Sequence, residues 1–268
     1  MISTIHGIVI SYTDVGEYDR FLTVLSFELG KISVYGRGVR RLKDPNFVAA
    51  QKFVYSEITL RETGGRYFIK ESSPKNSFYG IRHSMYGIAL ATYIAEVAAD
   101  ISPEGEKCEE IVRLTLNSLH LISEGKKQLS LIKAVFELRA AVEIGFCPDL
   151  VACSGCGKHN LTSYYFDAEG GYFTCEDCFK SESEGFEAEI SHQNELEGIY
   201  SRSRLILILS ADVYVAMRYV VYSKQDRIFS FELHDGALEE FCSVCEKYFL
   251  CHMEKSYKSL EFYKSILK

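Results

Sequence analysis

Four of the nine cysteines form two Cys-x-x-Cys pairs, whose residue type and spacing indicate a defined chemistry. The pairs are Cys153 with Cys156 and, after eighteen intervening residues, Cys175 with Cys178. Two such pairs at this separation predict a four-thiolate metal site. Four sulfurs complete a tetrahedral shell and leave no position for a substrate or an activated water, so the expected role is structural. Thiolate ligands in a closed shell favour zinc, one ion per chain.

The segment between the two pairs must bring them together. Residues 164–166 and 170–173 are rich in aromatic side chains and flank an Asp-Ala-Glu-Gly-Gly turn, which predicts the hairpin of a zinc ribbon. Gly155 and Gly157 relieve the backbone where amide groups face the thiolates. His159 lies nearby, but with four cysteines present we interpret it as a surface loop residue.

The other cysteines are interpreted as packing residues. Cys242, Cys245 and Cys251, followed by His252, raise the alternative of a second metal site. They fall on a predicted helix that has no turn to wrap around a metal ion, so core packing is favoured. Cys108 and Cys147 fit small buried hydrophobes, and nine cysteines without an export signal indicate a reducing compartment rather than a disulfide framework.

Charge is distributed unevenly along the 268 residues. Residues 1–80 carry 11 Lys and Arg against 8 Asp and Glu, whereas the whole chain has a net charge of −7. A polyanionic partner is therefore expected at the N-terminal part. The most apolar run, residues 205–209, is far shorter than a membrane span and is followed by Asp212 and Arg218. These features predict a cytoplasmic chain.

The first 80 residues have the pattern of a small closed β-barrel. Five runs rich in β-branched and aromatic residues are separated by glycines, at 5–12, 21–27, 31–35, 53–60 and 66–70. Strand count alone leaves open whether the barrel is of the oligonucleotide-binding (OB) type or the SH3-like type. The glycines do not form a dinucleotide-binding fingerprint or a phosphate-binding loop.

A basic loop follows the third predicted strand. It carries Arg37, Arg40, Arg41 and Lys43 and is expected to be loosened by Gly36 and Gly38. Cations on a barrel rim fit contacts to a phosphate backbone. Aromatic residues that could offer stacking faces nearby are Tyr12, Tyr18, Tyr35, Phe47 and Tyr55. The alternative is a solvated basic loop beside core aromatics.

Helical periodicity replaces the strand pattern after residue 80. The apolar positions predict helices at 86–101, 108–122, 131–142, 196–209 and 211–222, and one that begins with Asp235 as its cap, with a short extended piece at 229–233. Residues 181–189 form an acidic linker. The predicted class is therefore α+β, with a barrel at 1–80, helices at 81–150, a zinc module at 151–180 and helices at 181–268.

Several segments, in this order, resemble the family of the bacterial DNA repair protein RecO. The main one is the run 136–150 that leads into Cys153-Ser-Gly-Cys156. Shorter matches are Gly7-Ile-Val-Ile, Glu17-Tyr-Asp-Arg, Gly30-Lys-Ile-Ser, Gly38-Val-Arg-Arg and Lys258-Ser-Leu-Glu-Phe. The resemblance spans the chain and implies an OB-type barrel followed by a helical domain that holds the zinc module.

The resemblance also implies a non-enzymatic recombination mediator. Such a protein binds single- and double-stranded DNA, anneals complementary strands and works with RecR to load RecA onto DNA coated by single-stranded-DNA-binding protein. The implied DNA site is the basic loop with Tyr35. The acidic tail of the coating protein would meet Lys133 and Arg139, although salt bridges within their own helix, to Glu137 and Glu143, are an alternative.

Two other function classes are weighed against the mediator. An enzyme would need a hydrolase or redox motif, and neither His-Glu-x-x-His nor Gly-x-Ser-x-Gly occurs. A zinc-stabilised adaptor that binds proteins but not DNA is the remaining alternative. The two are separated by DNA affinity at low salt, which an adaptor lacks.

Overall fold

The computed structural model describes residues 2–159, 161, 163–183, 199–201 and 204–267. The chain forms two compact units, of which unit 1 comprises Met1–Leu129 with Tyr257–Lys268 and unit 2 comprises Ser130–Ser256. The helices, in chain order, are α1 (Met85–Ile101), α2 (Glu109–Glu124), α3 (Leu129–Glu143), α4 (Glu176–Ser183), α5 (Ala211–Tyr222), α6 (Asp235–Met253) and α7 (Lys258–Leu267). The division into four domains by residue range stays a prediction.

Unit 1 begins with a closed five-stranded barrel. Its strands are β1 (Ile2–Val15), β2 (Asp19–Ser26), β3 (Gly30–Gly36), β4 (Tyr55–Thr63) and β5 (Arg66–Asn76). Their order around the barrel is β1-β2-β3-β5-β4, with β4 paired back to β1 and all pairs antiparallel except β3 with β5. The strand prediction and the OB type are thus both confirmed, because strand order supplies what strand count left open.

The interior of the barrel is filled by the inward-facing side chains of its strands. Buried aliphatic side chains from every second position of β1 to β4 form its core, and the segment between β3 and β4 adds Val39 and Ala50. Residues 37–54 therefore belong to the packed structure of the barrel.

Three helices complete unit 1, together with a short 3-10 helix at Tyr79–His83. Helix α1 begins after Ser84, whose hydroxyl accepts from the amide of Gly87, and α2 ends at Gly125 with φ of 65°. Helix α7 packs on α1, and the Tyr257 hydroxyl donates to Asp100 at 2.9 Å. The helices predicted at 86–101, 108–122 and 131–142 are confirmed as α1, α2 and α3.

Unit 2 contains a four-stranded sheet with helices α3 to α6. Its strands are β6 (Tyr164–Asp167), β7 (Tyr172–Thr174), β8 (Ile199–Ser201) and β9 (Arg204–Leu209), in the order β7-β6-β9-β8. The predicted hairpin of the zinc ribbon is β6 with β7. The helix predicted at 196–209 is wrong over its described part, because residues 204–209 form strand β9, which pairs antiparallel with β6.

Smaller differences concern helix boundaries. No strand forms at 229–233, where turns lead into a segment without regular structure.

Helix α6 begins at Asp235 as predicted, but its cap is His234, whose ring nitrogen accepts from the amide of Ala237. Residues 184–189 of the predicted acidic linker lie outside the described residues. Within the described part of the chain, no helix combines the length and apolarity needed to cross a membrane.

Candidate metal centre and nucleic-acid interface

The four cysteine sulfurs converge on one point in unit 2. The Sγ atoms of Cys153, Cys156, Cys175 and Cys178 all lie within 4.8 Å of one another, and those of Cys156 and Cys175 are 3.7 Å apart. A tetrahedral Zn–S distance of about 2.3 Å corresponds to sulfurs about 3.8 Å apart. The cluster therefore could hold a metal ion with four protein ligands.

Local backbone geometry holds the sulfurs in place. The amide of Cys175 donates to the Cys153 sulfur at 3.2 Å, and the amide of Cys178 donates to the Cys175 sulfur at 3.5 Å. A Cβ on Gly155 would lie 2.9 Å from the Cys178 sulfur, and Gly157 has φ of +74°. Both glycines are required here, the first by a close approach and the second by left-handed backbone.

The electrostatics of the cluster favour a cation. Burial raises the pKa of Cys153, but amide donors from Cys175, Cys156 and Gly155 outweigh it and lower the pKa to about 6. Hydrogen bonds with the thiols of Cys175 and Cys156 raise the pKa of Cys178. Four sulfurs this close cannot all be thiolates at neutral pH without a positive charge among them, and a divalent metal ion that prefers thiolate ligands would supply it.

The alternative ligands do not join this cluster. The His159 ring is exposed and bonds to the Val151 carbonyl oxygen at 3.0 Å. Cys242 donates to the Ser130 carbonyl at 3.3 Å, and burial raises the pKa of Cys242 to about 11. Burial also raises the pKa of Cys245. Among the described residues, the four-cysteine cluster is the one group arranged to hold a metal.

The basic loop of unit 1 is braced rather than loose. Arg40 pairs with Asp14 at 3.4 Å and donates to the Gly16 carbonyl at 3.2 Å, so it lies against the β1–β2 hairpin. A Cβ on Gly36 would lie 2.8 Å from Val39, and Gly38 has φ of +71°. The expectation of a glycine-loosened loop is therefore wrong, because these glycines permit tight packing and a turn.

Tyr35 connects the loop with the outer face of the barrel. Its hydroxyl donates to Asp19, which also accepts from the amide of Gly38 at 2.7 Å. These two hydrogen bonds, followed by the charges of Arg37 and Arg41, lower the pKa of Asp19. Arg37 and Arg41 thus lie close to the residue that anchors Tyr35. Lys43 is exposed farther along the loop.

Two of the predicted stacking faces are occupied by arginines. The guanidinium of buried Arg20 lies 3.5 Å from the centre of the Tyr12 ring, and that of Arg41 lies 4.6 Å from the centre of the Tyr18 ring. Arg20 is fixed by Asp14 at 2.7 Å. The contact with Tyr18 holds Arg41 on the barrel surface, whereas Arg20 is buried in the barrel.

An outward-facing row of side chains crosses four strands of the barrel. Phe21 of β2 is paired with Tyr35 of β3, Tyr35 with Phe68 of β5, and Phe68 with Arg61 of β4. Ring centres are 4.9 Å apart for Phe21 and Tyr35 and 5.7 Å apart for Tyr35 and Phe68, and the Arg61 guanidinium lies 5.5 Å from the Phe68 ring. We call these four residues the outer row. Of the four, only Tyr35 was predicted from the sequence as a site residue.

Two family models match the chain. One, described as Recombination protein O C terminal, matches residues 82–261, and the other, described as Recombination protein O N terminal, matches residues 1–78. The chain belongs to the recombination protein O (RecO) family. The resemblance predicted from the sequence is thereby confirmed, and the N-terminal match coincides with the OB-type barrel.

Relatives from several bacteria match over most of the chain. The DNA repair protein RecO of Acetivibrio thermocellus is 29% identical over 260 residues, which cover 97% of this chain and 95% of that protein. RecO of Alkaliphilus metalliredigens is 25% identical over 267 residues, or 99% of this chain and 100% of that protein. A shorter match to RecO of Dehalococcoides mccartyi strain 195 is 32% identical over 173 residues, or 64% and 68%.

In this RecO-family chain, the predicted partner residues are engaged internally. Lys133 is almost fully buried and bonds to Glu137 and Glu246 at 2.8 and 2.7 Å. Arg139 pairs with Glu143 at 2.7 Å and donates to the Val221 carbonyl at 3.0 Å. The intrahelical alternative is therefore present in the structure. A role for these cations in binding a partner's tail stays a prediction, which their burial weighs against.

Proposed function

We propose that this RecO-family chain is a non-catalytic recombination mediator that binds single- and double-stranded DNA through its barrel. It would anneal complementary strands and, with RecR, help load RecA onto DNA coated by single-stranded-DNA-binding protein. The names of the relatives, DNA repair protein RecO, support this assignment. It would act in the cytoplasm, on nucleoid DNA.

The arrangement of cations around Tyr35 carries the proposal. Arg37 and Arg41 lie beside Asp19, which anchors Tyr35, and Arg40 is held by Asp14 and Gly16. Cations with fixed positions can neutralise successive phosphates without first being ordered. Annealing then requires only that two screened strands be held close together, so no catalytic group is needed.

The four-cysteine cluster would hold one structural zinc ion. Cys175 directly follows β7 and Cys178 lies in the first turn of α4, so the ion would tie the ribbon to that helix. The closed set of four thiolates leaves no position for chemistry. Protein partners, in this proposal, are bound by surfaces of the folded units rather than by the metal.

A salt-dependent mobility shift tests the proposal. Binding to a labelled single strand and to a duplex is measured between low and moderate salt. The mediator is expected to bind both at low salt, and its log affinity should fall linearly with log salt concentration. An adaptor without DNA binding would show no affinity even at the lowest salt, and that result would overturn the proposal.

A further inference from the structure

A cleft of about 560 Å³ opens on the barrel where β3 meets β5. These strands are paired over only two positions, Val34 with Tyr67 and Tyr35 with Phe68, and beyond them the ladder ends. The seam thus leaves a gap in a barrel that is otherwise closed by long antiparallel pairs. We call this gap the seam cleft.

The lining of the seam cleft combines aromatic and cationic groups. Tyr35 and Phe68 form aromatic walls, and Arg37, Arg61 and Lys70 are exposed on its lining. None of the described residues that line it is acidic. Its volume falls within the roughly 300–1,000 Å³ of typical small-ligand sites. The site therefore suits a ligand that combines a flat ring with negatively charged groups beside it.

The two rings of the cleft pack against each other at a steep angle. Tyr35 and Phe68 meet edge to face, with their planes 74° apart. A base that lies flat on one ring presents its edge to the other, and both arrangements are favourable for aromatic groups. Phe21, 40% exposed, continues the row and offers a further surface.

We propose that the seam cleft receives one unpaired nucleotide of a DNA strand. Its base would lie against Tyr35 and Phe68, and its flanking phosphates would lie beside Arg37, Arg61 and Lys70. The proposal rests on the proposed function, DNA binding by the barrel, and adds a single-strand subsite to it. Bases inside a duplex are already paired and stacked, so a duplex can reach the cations but cannot fill the cleft.

The test uses the full-length chain carrying Phe68→Leu, which removes the ring and keeps an apolar side chain. Its control is Tyr79→Leu, because Tyr79 is a 66% exposed aromatic outside the barrel strands. Affinities for oligo-dT and for a duplex of equal length are compared over a range of salt. Phe68→Leu should weaken single-strand binding about tenfold. Its salt slope and duplex affinity should stay as in the wild type, since no cation is removed.

Photocrosslinking gives a second readout. It uses the wild-type chain, so a substitution that disturbs folding cannot affect it. A single strand carrying 5-iodouracil is irradiated on the protein, and the crosslinked tryptic peptides are identified. We expect crosslinks in peptides 32–37 and 67–70, which contain Tyr35 and Phe68.

The outcomes separate the two proposals. If the wild type shows no salt-dependent binding to either oligo-dT or the duplex, the proposed function and the cleft proposal are both wrong. If the wild type binds but Phe68→Leu behaves like Tyr79→Leu, or crosslinks fall only on other surfaces, the cleft proposal alone is wrong.

Discussion

Lys133 is an ammonium group that two carboxylates hold inside unit 2. Glu137 is fully buried and Glu246 is largely buried. Burial alone would lower the pKa of Lys133, but the charges of these two carboxylates outweigh burial and raise it. Lys133→Met leaves Glu137 buried without this cation. We expect it to lower the free energy of unfolding by about 3–5 kcal/mol, measured by urea denaturation.

A matched lysine provides the control for this prediction. Lys126 pairs with Glu124 at 2.8 Å but is 76% exposed, so Lys126→Met should leave the urea midpoint nearly unchanged. The double variant Lys133→Met/Glu137→Gln should recover much of the loss, because the uncompensated charge is removed. Unchanged stability of Lys133→Met with loss of tail-peptide binding would instead assign Lys133 to a partner.

His252 predicts a pH dependence in unit 2. Its ring is stacked on Phe146 at 4.2 Å, and burial lowers its pKa from the ordinary 6.5. The unfolded chain therefore binds a proton at a higher pH than the folded chain does. Stability should fall as pH drops below about 6.5 and level off below the folded pKa. Urea midpoints of the wild type and of His252→Phe are compared from pH 7.5 to 5.5. The midpoint of the wild type should fall relative to that of His252→Phe as the pH decreases. If the wild type is the more stable of the two at pH 7.5, the two midpoints should therefore converge or change order at pH 5.5.

At the scale of single residues, local spacing was enough to predict the four-cysteine cluster but not the outer row. Each Cys-x-x-Cys pair lies within one turn, so the sequence itself brings the sulfurs together. Phe21 and Phe68 are 47 positions apart, and only the register of β2, β3 and β5 places them on either side of Tyr35. The signal that could have found them is the alternation of outward positions within each strand.

Among the elements, β6, β7 and α4 are expected to depend on the four-cysteine cluster. Cys175→Ser should lose the metal and loosen β6, β7 and α4, because binding free energy in such sites is also folding free energy. Metal content of the purified variant and its thermal unfolding are the measurements. DNA affinity should fall only indirectly, since the barrel belongs to the other unit.

Cys251→Ser is the control, because Cys251 is a partly buried cysteine outside the cluster. It should keep the full metal content. A Cys175→Ser protein with full metal content and unchanged melting would rule out Cys175 as a ligand.

Helices α1 to α3 were predictable and β9 was not, for a physical reason. The helices carry apolar stripes with the helical period and end at clear signals such as Gly125. The apolar run 205–209 is short, and its periodicity does not distinguish a strand from a buried helix. Pairing with β6, about 40 residues earlier, decides its structure.

At the scale of the whole molecule, the sequence predicted a barrel but not its closure. OB order depends on β3 lying parallel to β5, across the intervening β4, and no local pattern encodes that contact. The OB-type strand order was therefore predicted from the family resemblance and not from the physical pattern of the residues. The charge difference between residues 1–80 and the rest, in contrast, follows from composition and favours a polyanion site on the barrel.

Changing Arg37, Arg40, Arg41 and Lys43 to alanine should flatten the slope of log affinity against log salt by up to roughly 2–3 units on single strands, at about 0.7 for each phosphate that is no longer neutralised, and slow annealing. Folding should persist, since the Arg40–Asp14 pair is partly exposed and solvent screens it. The control is the exposed set Lys107, Lys224, Arg227 and Lys258 changed to alanine, which alters net charge equally. If both quadruple variants show the same slope and annealing rate, the strand does not follow the basic loop.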